Sequence, residues 1–303
     1  MRELLRPSRL APGARVAVVA PSGPVPEERV QAGLDVLRGW DLDPVVAPHV
    51  LDRHGEFDYL AGTDADRAAD LQAAWCDPSV DAVLCARGGY GVQRMVELLD
   101  WDAMSAAGPK VFVGFSDITA LHEPLNARGL VTLHGPMAAA VEQLDTAGGL
   151  ERLRALLFEP STVTDLLAPV GARTVVGGVA EGVLRGGNLA MLASSVGTPT
   201  YAPPAGVVVL EDVDEAGYRV DRLLTQLLRA GWFDEVTGVV VGDFTGTQDS
   251  VEVIAERLEP LGVPMVAGAA IGHEALNLAV PLGLPVRLDA TAGVLTPGGP
   301  AGS

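Results

Sequence analysis

Short apolar runs alternate with helical patterns along the first half of the chain. From Arg15 it reads RVAVVAPSG, then a helical pattern from about Pro26 to Leu37, then PVVA, and the alternation continues through DAVLCARGG and KVFVGF. Strands alternating with helices predict a parallel sheet covered by helices. The runs VAVVA, AVLC and VFV lack the polar alternation of a half-solvated strand, which fits a sheet buried on both faces. The expected fold class is α/β, with a flavodoxin-like, doubly wound N-terminal domain. In such a domain ligands lie beyond the carboxyl ends of the strands. There the chain places PSGP (Pro21–Pro24), ARGGYG (Ala86–Gly91), GFSD (Gly114–Asp117) and LHGPM (Leu133–Met137), all small, turn-forming or hydroxylated. They are expected to form one rim.

Between Leu144 and Gly177 the periodicity weakens into TAGG, FEPST and LAPVGA, a Gly/Pro/Ala-rich stretch expected to join two domains. The expected division is an N-terminal domain over 1–145, a linker over 146–177 and a C-terminal domain over 178–303. The last part offers strands in VAEGVLRGG, GVVVLED, VTGVVVGDF, VRLDA and GVLTP, and helices near Asn188–Val196 and Gly217–Ala230. It reads as a smaller, mixed, β-rich domain ending in a GGPAGS tail expected to fray.

The chain has 303 residues and a formal charge of −18, with an isoelectric point near 4.5. That acidity, with only 5% aromatic residues, excludes the basic, stacking surface that nucleic-acid binding uses. Hydrophobic residues make up 48%, enough to bury a core. No apolar stretch approaches the roughly 20 residues that cross a bilayer. The opening MRELLRPSRL lacks a continuous apolar core, so a cytoplasmic location is expected. Cys76 and Cys85 are expected to be buried free thiols, and without a Cys/His pair at ligand spacing no metal is expected.

Ser116 follows KVFVGF and precedes DITALHEPL, a strand-to-helix turn that can expose a hydroxyl. GFSDI departs from G-x-S-x-G by carrying Ile118 at the second glycine, and a serine before Asp-Ile-Thr is equally a good N-cap. A nucleophilic serine needs an imidazole, and the imidazole an orienting group. His49 and His54 lie in a polar stretch read as a surface loop, and His122 falls inside a helical pattern. His134 follows VTLHG at the same rim as Ser116, whereas His273 sits in AGAAIGHEALNLAVPLG among small residues. Spacing favours His273 only slightly, and a structural histidine is the alternative for both. Glu211 ends the run GVVVL, where a strand end holds a carboxylate rigidly; its acidic surroundings, EDVDE, read equally as a solvated loop. The turn ARGGYG offers glycine N–H groups to an oxyanion, and GGNL (Gly186–Leu189) opens a helix with an amide side chain.

Taken in order, ARGGYG, VGFSDITALH, TLHGP, LRGGNLAML, LEDVDEAGYRVDRLLTQL, GVVVGDF and AIGHEALNLAVPLG resemble the LD-carboxypeptidase family of serine peptidases, which includes microcin C immunity proteins. The resemblance spans roughly residues 15 to 290. It implies a Ser116–His273–Glu211 triad of nucleophile, base and orienting acid, and so separates His273 from His134. It further implies an oxyanion site from the N–H groups of Gly89 and Asp117. The site would lie between two domains in a homodimeric enzyme with no cofactor.

The peptidase branch implies hydrolysis of the amide between an L-centre and the terminal D-amino acid of a murein peptide, tetrapeptide to tripeptide. Substrate contacts are then expected from Arg87, Gly88, Arg185 and Asn188, the arginines meeting a terminal carboxylate. The immunity branch implies instead an aminoacyl-nucleotide amide and an aromatic that stacks on the base. No tryptophan occurs between Trp101 and Trp232, and Phe158 alone lies in the linker region, which favours the peptidase. The alternative from another class is a non-catalytic peptide-binding module.

Overall fold

The computed structural model describes residues 4–140, 148–245 and 249–298. The domain boundary expected at 145–146 and nearly all of the GGPAGS tail lie outside the described residues. In chain order the strands of the first half are β1 (Arg15–Val19), β2 (Asp43–Val46), β3 (Ala82–Cys85), β4 (Val111–Gly114) and β5 (Thr132–His134). The second half adds β6 (Arg173–Val176), β7 (Val179–Val183), β8 (Arg185–Asn188), β9 (Ala205–Asp212), β10 (Glu235–Phe244), β11 (Met265–Ala267), β12 (Val280–Leu282), β13 (Pro285–Asp289) and β14 (Val294–Pro297).

The first sheet has the order β12-β5-β4-β3-β1-β2. Its five N-terminal strands are parallel and follow the flavodoxin-like order 2-1-3-4-5, whose switch point lies between β1 and β3. The fully buried stretches of β1, β3 and β4 explain their unbroken apolar sequences. Helices cover both faces: Leu71 and Trp75 of Asp64–Cys76 pack with Phe112 on one side, while Val30, Leu34 and Leu37 of Glu27–Gly39 pack with Val18 and Val113 on the other. Each such aliphatic side chain contributes about 1.5–3 kcal/mol by burial. Gly33 is required on the latter helix, because a Cβ there would lie 2.3 Å from the Ala138 carbonyl oxygen.

The second sheet has the order β6-β11-β10-β9-β8, parallel except at β6. A three-stranded antiparallel sheet, β14-β13-β7, completes the second half.

Two features depart from the sequence reading. The segment expected as a linker contains a helix, Gly149–Phe158, whose Leu153 and Leu157 are buried in the first sheet's core, with Phe158 packed beside them under Arg154. The flanking TAGG and FEPST obscure the i, i+4 spacing of those leucines. Strand β12 returns from the second half to pair antiparallel with β5, so the first sheet draws strands from both sides of the linker. Among the described residues no helix is long and apolar enough to cross a membrane. Cys85 is buried, Cys76 half-buried, and both are free thiols.

Candidate functional site

Ser116 sits where β4 gives way to helix. Phe115 is extended, Ser116 has φ 66, and a 3-10 turn over Ser116–Ile118 runs into the helix Thr119–Ala127. A left-handed backbone at a serine costs about 1–3 kcal/mol and persists only where the surroundings impose it. Ser116 is not the helix cap. The cap positions of the two helical segments are Phe115 and Ile118, and neither makes a side-chain cap bond. Gly114 permits the sharp turn, since a Cβ there would lie 2.7 Å from Ile118 Cγ2. This is a strand–turn–helix presentation of a half-buried hydroxyl.

The Gly-rich turn after β3 lies against that hydroxyl. A Cβ on Gly88 would sit 3.0 Å from Ser116 Cβ and 3.3 Å from its Oγ. The Gly88 carbonyl accepts from Gly23 N–H at 3.1 Å, so the next N–H, that of Gly89, points away from Gly23 across the trans peptide. Among the described residues neither the Gly89 nor the Asp117 N–H donates to a backbone carbonyl, which leaves both expected oxyanion donors unspent.

Side chains missed by the sequence reading fix this rim. The buried Asp117 carboxylate accepts from Ser22 Oγ at 2.5 Å and from Val92 N–H at 2.9 Å. Burial raises its pKa, opposed by those two bonds and by Arg67. Arg67, itself buried, donates to the Pro21 carbonyl at 2.5 Å and the Gly91 carbonyl at 2.9 Å and pairs with Asp64. The Asp117 and Arg67 side chains add to the Gly23–Gly88 backbone bond in tying the PSGP loop to the Gly-rich turn. No local signal marks Ser22 or Arg67, because both act across long sequence separations.

Glu211, fully buried at the end of β9, accepts from His273 Nδ1 through Oε2 at 2.7 Å. Burial alone raises a carboxyl pKa, but His134 and His273 outweigh it and hold Glu211 at about 2. Burial lowers the His273 pKa, and Glu211, Asp212 and Asp243 more than reverse it, leaving it raised. The Nδ1–H donated to the carboxylate leaves Nε2 unprotonated in the neutral ring. His273 lies on the connection between β11 of the second sheet and β12 of the first, a strap anchored at both ends. Gly272, with φ +137, lets the strap pass: a Cβ there would lie 3.0 Å from Glu211 Oε2. Phe115, beside the serine, packs on the His273 ring with centroids 4.8 Å apart. The serine turn and the His–Glu pair therefore meet at Phe115.

The remaining expected residues divide. Arg87 is exposed beside the Gly-rich turn and donates to the Pro24 carbonyl at 2.8 Å. Asn188 caps the helix Leu189–Ser194 and donates to Asp212 at 2.9 Å, while its N–H bonds Thr119 Oγ1 at 3.0 Å. That last bond docks the helix after Ser116 onto β8, the neighbour of Glu211's strand. Arg185 is committed elsewhere. Its guanidinium reaches the Glu123 and Ala202 carbonyls at 3.4 and 3.2 Å and faces the buried Glu123 carboxyl, whose pKa burial pushes up to about 8. Glu123 approaches Arg185 from the other half of the chain.

His122 is fixed by its neighbours: Nε2–H donates to the Gly114 carbonyl at 2.9 Å, and Nδ1 accepts from Thr132 Oγ1 at 2.8 Å. His49 bonds Asp70 at 2.8 Å. The exposed rings of Phe57, Tyr59 and Tyr90, with the half-buried ring of His54 at one end, form a file that ends beside Gly89. Among the described residues no group of three or more His, Cys, Asp or Glu is arranged to hold a metal ion.

Residues 16–135 match the model of the LD-carboxypeptidase N-terminal domain, and residues 181–288 that of the LD-carboxypeptidase C-terminal domain. A carboxypeptidase-named chain of Streptomyces coelicolor is 64% identical over 99% of this chain and 98% of its own length. The murein tetrapeptide carboxypeptidase of Pseudomonas aeruginosa is 35% identical over 91% and 93%. The structure of MccF with glutamyl sulfamoyl guanosine superposes with a TM-score of 0.86 at 22% identity, covering 97% of this chain and 98% of that one, a likeness of fold. Two matching domains in sequence, with relatives aligned from end to end, place this chain in the LD-carboxypeptidase family.

Proposed function

We propose that the protein is a serine-type LD-carboxypeptidase that removes the terminal D-amino acid from a murein tetrapeptide. The observation that carries the reading is the buried Glu211 carboxylate 2.7 Å from His273 Nδ1, in a structure that also strains Ser116 into a left-handed turn. Family membership and the murein tetrapeptide relative supply the substrate class.

In this reading Ser116 Oγ attacks the scissile carbonyl carbon as His273 Nε2 takes its proton. The Gly89 and Asp117 N–H groups receive the negative oxygen. His273 then returns the proton to the leaving amine, the C–N bond breaks and an acyl-enzyme remains. Water, deprotonated by the same imidazole, releases the shortened peptide. Glu211 fixes the tautomer and stabilises the imidazolium throughout. Arg87 is the exposed cation beside the turn and is assigned to the substrate's terminal carboxylate. The cycle requires no metal or organic cofactor.

The test offers the purified protein an L,D-linked murein tetrapeptide and an aminoacyl-sulfamoyl nucleotide side by side, with products read by mass spectrometry. Conversion of tetrapeptide to tripeptide supports the peptidase. Consumption of the nucleotide alone replaces it with the microcin-immunity activity, and consumption of neither supports a binding module.

A further inference from the structure

The triad uses one oxygen of Glu211 and leaves the other facing a residue it does not employ. Oε1 lies 3.6 Å from Nε2 of His134, and both side chains are 0% exposed. Among the described residues neither ring nitrogen of His134 nor Oε1 of Glu211 has a hydrogen-bond partner. Buried polar atoms without partners are rare, and two facing each other have one inexpensive remedy, which is to pair. A shift of about half an ångström brings them within hydrogen-bond range.

The backbone fixes that approach from both sides. His134 ends β5, in register with Gly114 of β4 and Val280 of β12, so it stands beside the strand that delivers Ser116 and the strand that receives the His273 strap. Its other ring neighbours are Phe115, at 5.7 Å between centroids, and His122, at 6.2 Å. His122 already spends both nitrogens on Gly114 and Thr132 and is not a partner. The charged groups around the pair are His273, Asp212 and Asp243. An ionised carboxylate only accepts hydrogen bonds, so the facing nitrogen has to carry the proton.

We propose that His134 is a positioning residue whose Nε2–H donates to Glu211 Oε1, holding the carboxylate between two imidazoles so that Oε2 stays aimed at His273. The inference rests on the reading of Glu211 as the orienting acid. Without the second donor the carboxylate is free to turn, and its charge falls wholly on His273. The imidazolium is then favoured too strongly and the base is poorly aimed.

Two measurements test this. In the wild-type protein, long-range 1H–15N spectra of labelled histidine report the tautomer of His134 in the resting state, independent of any substrate. The expected result is an Nε2-protonated ring whose signals move in Glu211→Gln; an Nδ1-protonated ring, or signals indifferent to Glu211→Gln, overturns the proposal. In turnover, His134→Leu is expected to lower kcat at least about tenfold with KM within about twofold and to shift the acid limb of the pH profile upward. His134→Gln, which keeps a donor, is expected to recover most of the rate. A folded His134→Leu variant with wild-type kcat and pH limb, or a loss that His134→Gln fails to recover, overturns it. An Nε2-protonated His134 in a protein inactive on tetrapeptide defeats the peptidase reading and leaves the contact standing.

Discussion

His273 Nδ1 lies 2.7 Å from Glu211 Oε2 across 62 positions of sequence, with the two residues held by different devices. Glu211 is rigid because it ends a buried strand paired on both sides. His273 is rigid because its strap begins in one sheet and ends in the other. A base and a nucleophile misplaced by about 1 Å cost on the order of 100-fold in rate. Fastening the strap at both ends, and the helix after Ser116 to β8 through Thr119 and Asn188, suits that demand for the proposed triad.

The pH dependence follows from the His273 pKa, which lies above 6.5 because Glu211 and its acidic neighbours outweigh burial. In its proposed role as base His273 works only when neutral, so kcat/KM is expected to rise with pH through an apparent pKa above 6.5. In Glu211→Gln that limb is expected to move down. The linkage has a matching sign: the raised folded pKa contributes stability that is full below 6.5 and lost as pH rises through the folded value. A limb at or below 6.5 that is indifferent to Glu211→Gln contradicts this assignment.

Gly88→Ala is expected to lower kcat by about 10- to 100-fold with a nearly unchanged melting temperature. The added Cβ would meet Ser116 Cβ at 3.0 Å and its Oγ at 3.3 Å, so the hydroxyl or the turn has to yield. Steady-state kinetics alongside thermal unfolding separate the two effects. Wild-type turnover in the alanine variant would show that the turn does not crowd the hydroxyl.

Ser116 carries backbone strain that a glycine would not. Ser116→Gly is expected to be more stable than Ser116→Ala by about 1 kcal/mol in urea unfolding, because φ 66 is free for glycine and costly for alanine. Equal stability of the two variants, or a less stable glycine, contradicts a strained turn.

Ser22→Ala removes one of the two donors that the Asp117 carboxylate accepts. The expected cost is about 1–3 kcal/mol of folding stability, with a slower enzyme as the PSGP loop loosens from the rim. Denaturant unfolding and kcat read the two consequences, and a variant unchanged in both would remove this staple from the account.

Much of this was legible in the sequence, and the misses share a cause. The unbroken runs VAVVA, AVLC and VFV mark strands buried on both faces, and the small residues after them mark the rim. The choice between His134 and His273 was not legible from spacing, since the return of β12 to β5 brings both rings to one carboxylate. The contact of Arg185 with Glu123 is invisible to spacing, because Glu123 arrives from another element. The helix Gly149–Phe158 was hidden by glycine and proline at its ends. Local patterns report local structure, whereas these residues are placed by contacts between the halves.

The central claim is that the Ser116 hydroxyl is the attacking group, and its most direct test is the kcat/KM of Ser116→Ala on an L,D-linked murein tetrapeptide beside the wild type. The account predicts a fall of about 1,000-fold or more in a variant that still unfolds cooperatively. A rate within tenfold of the wild type contradicts it.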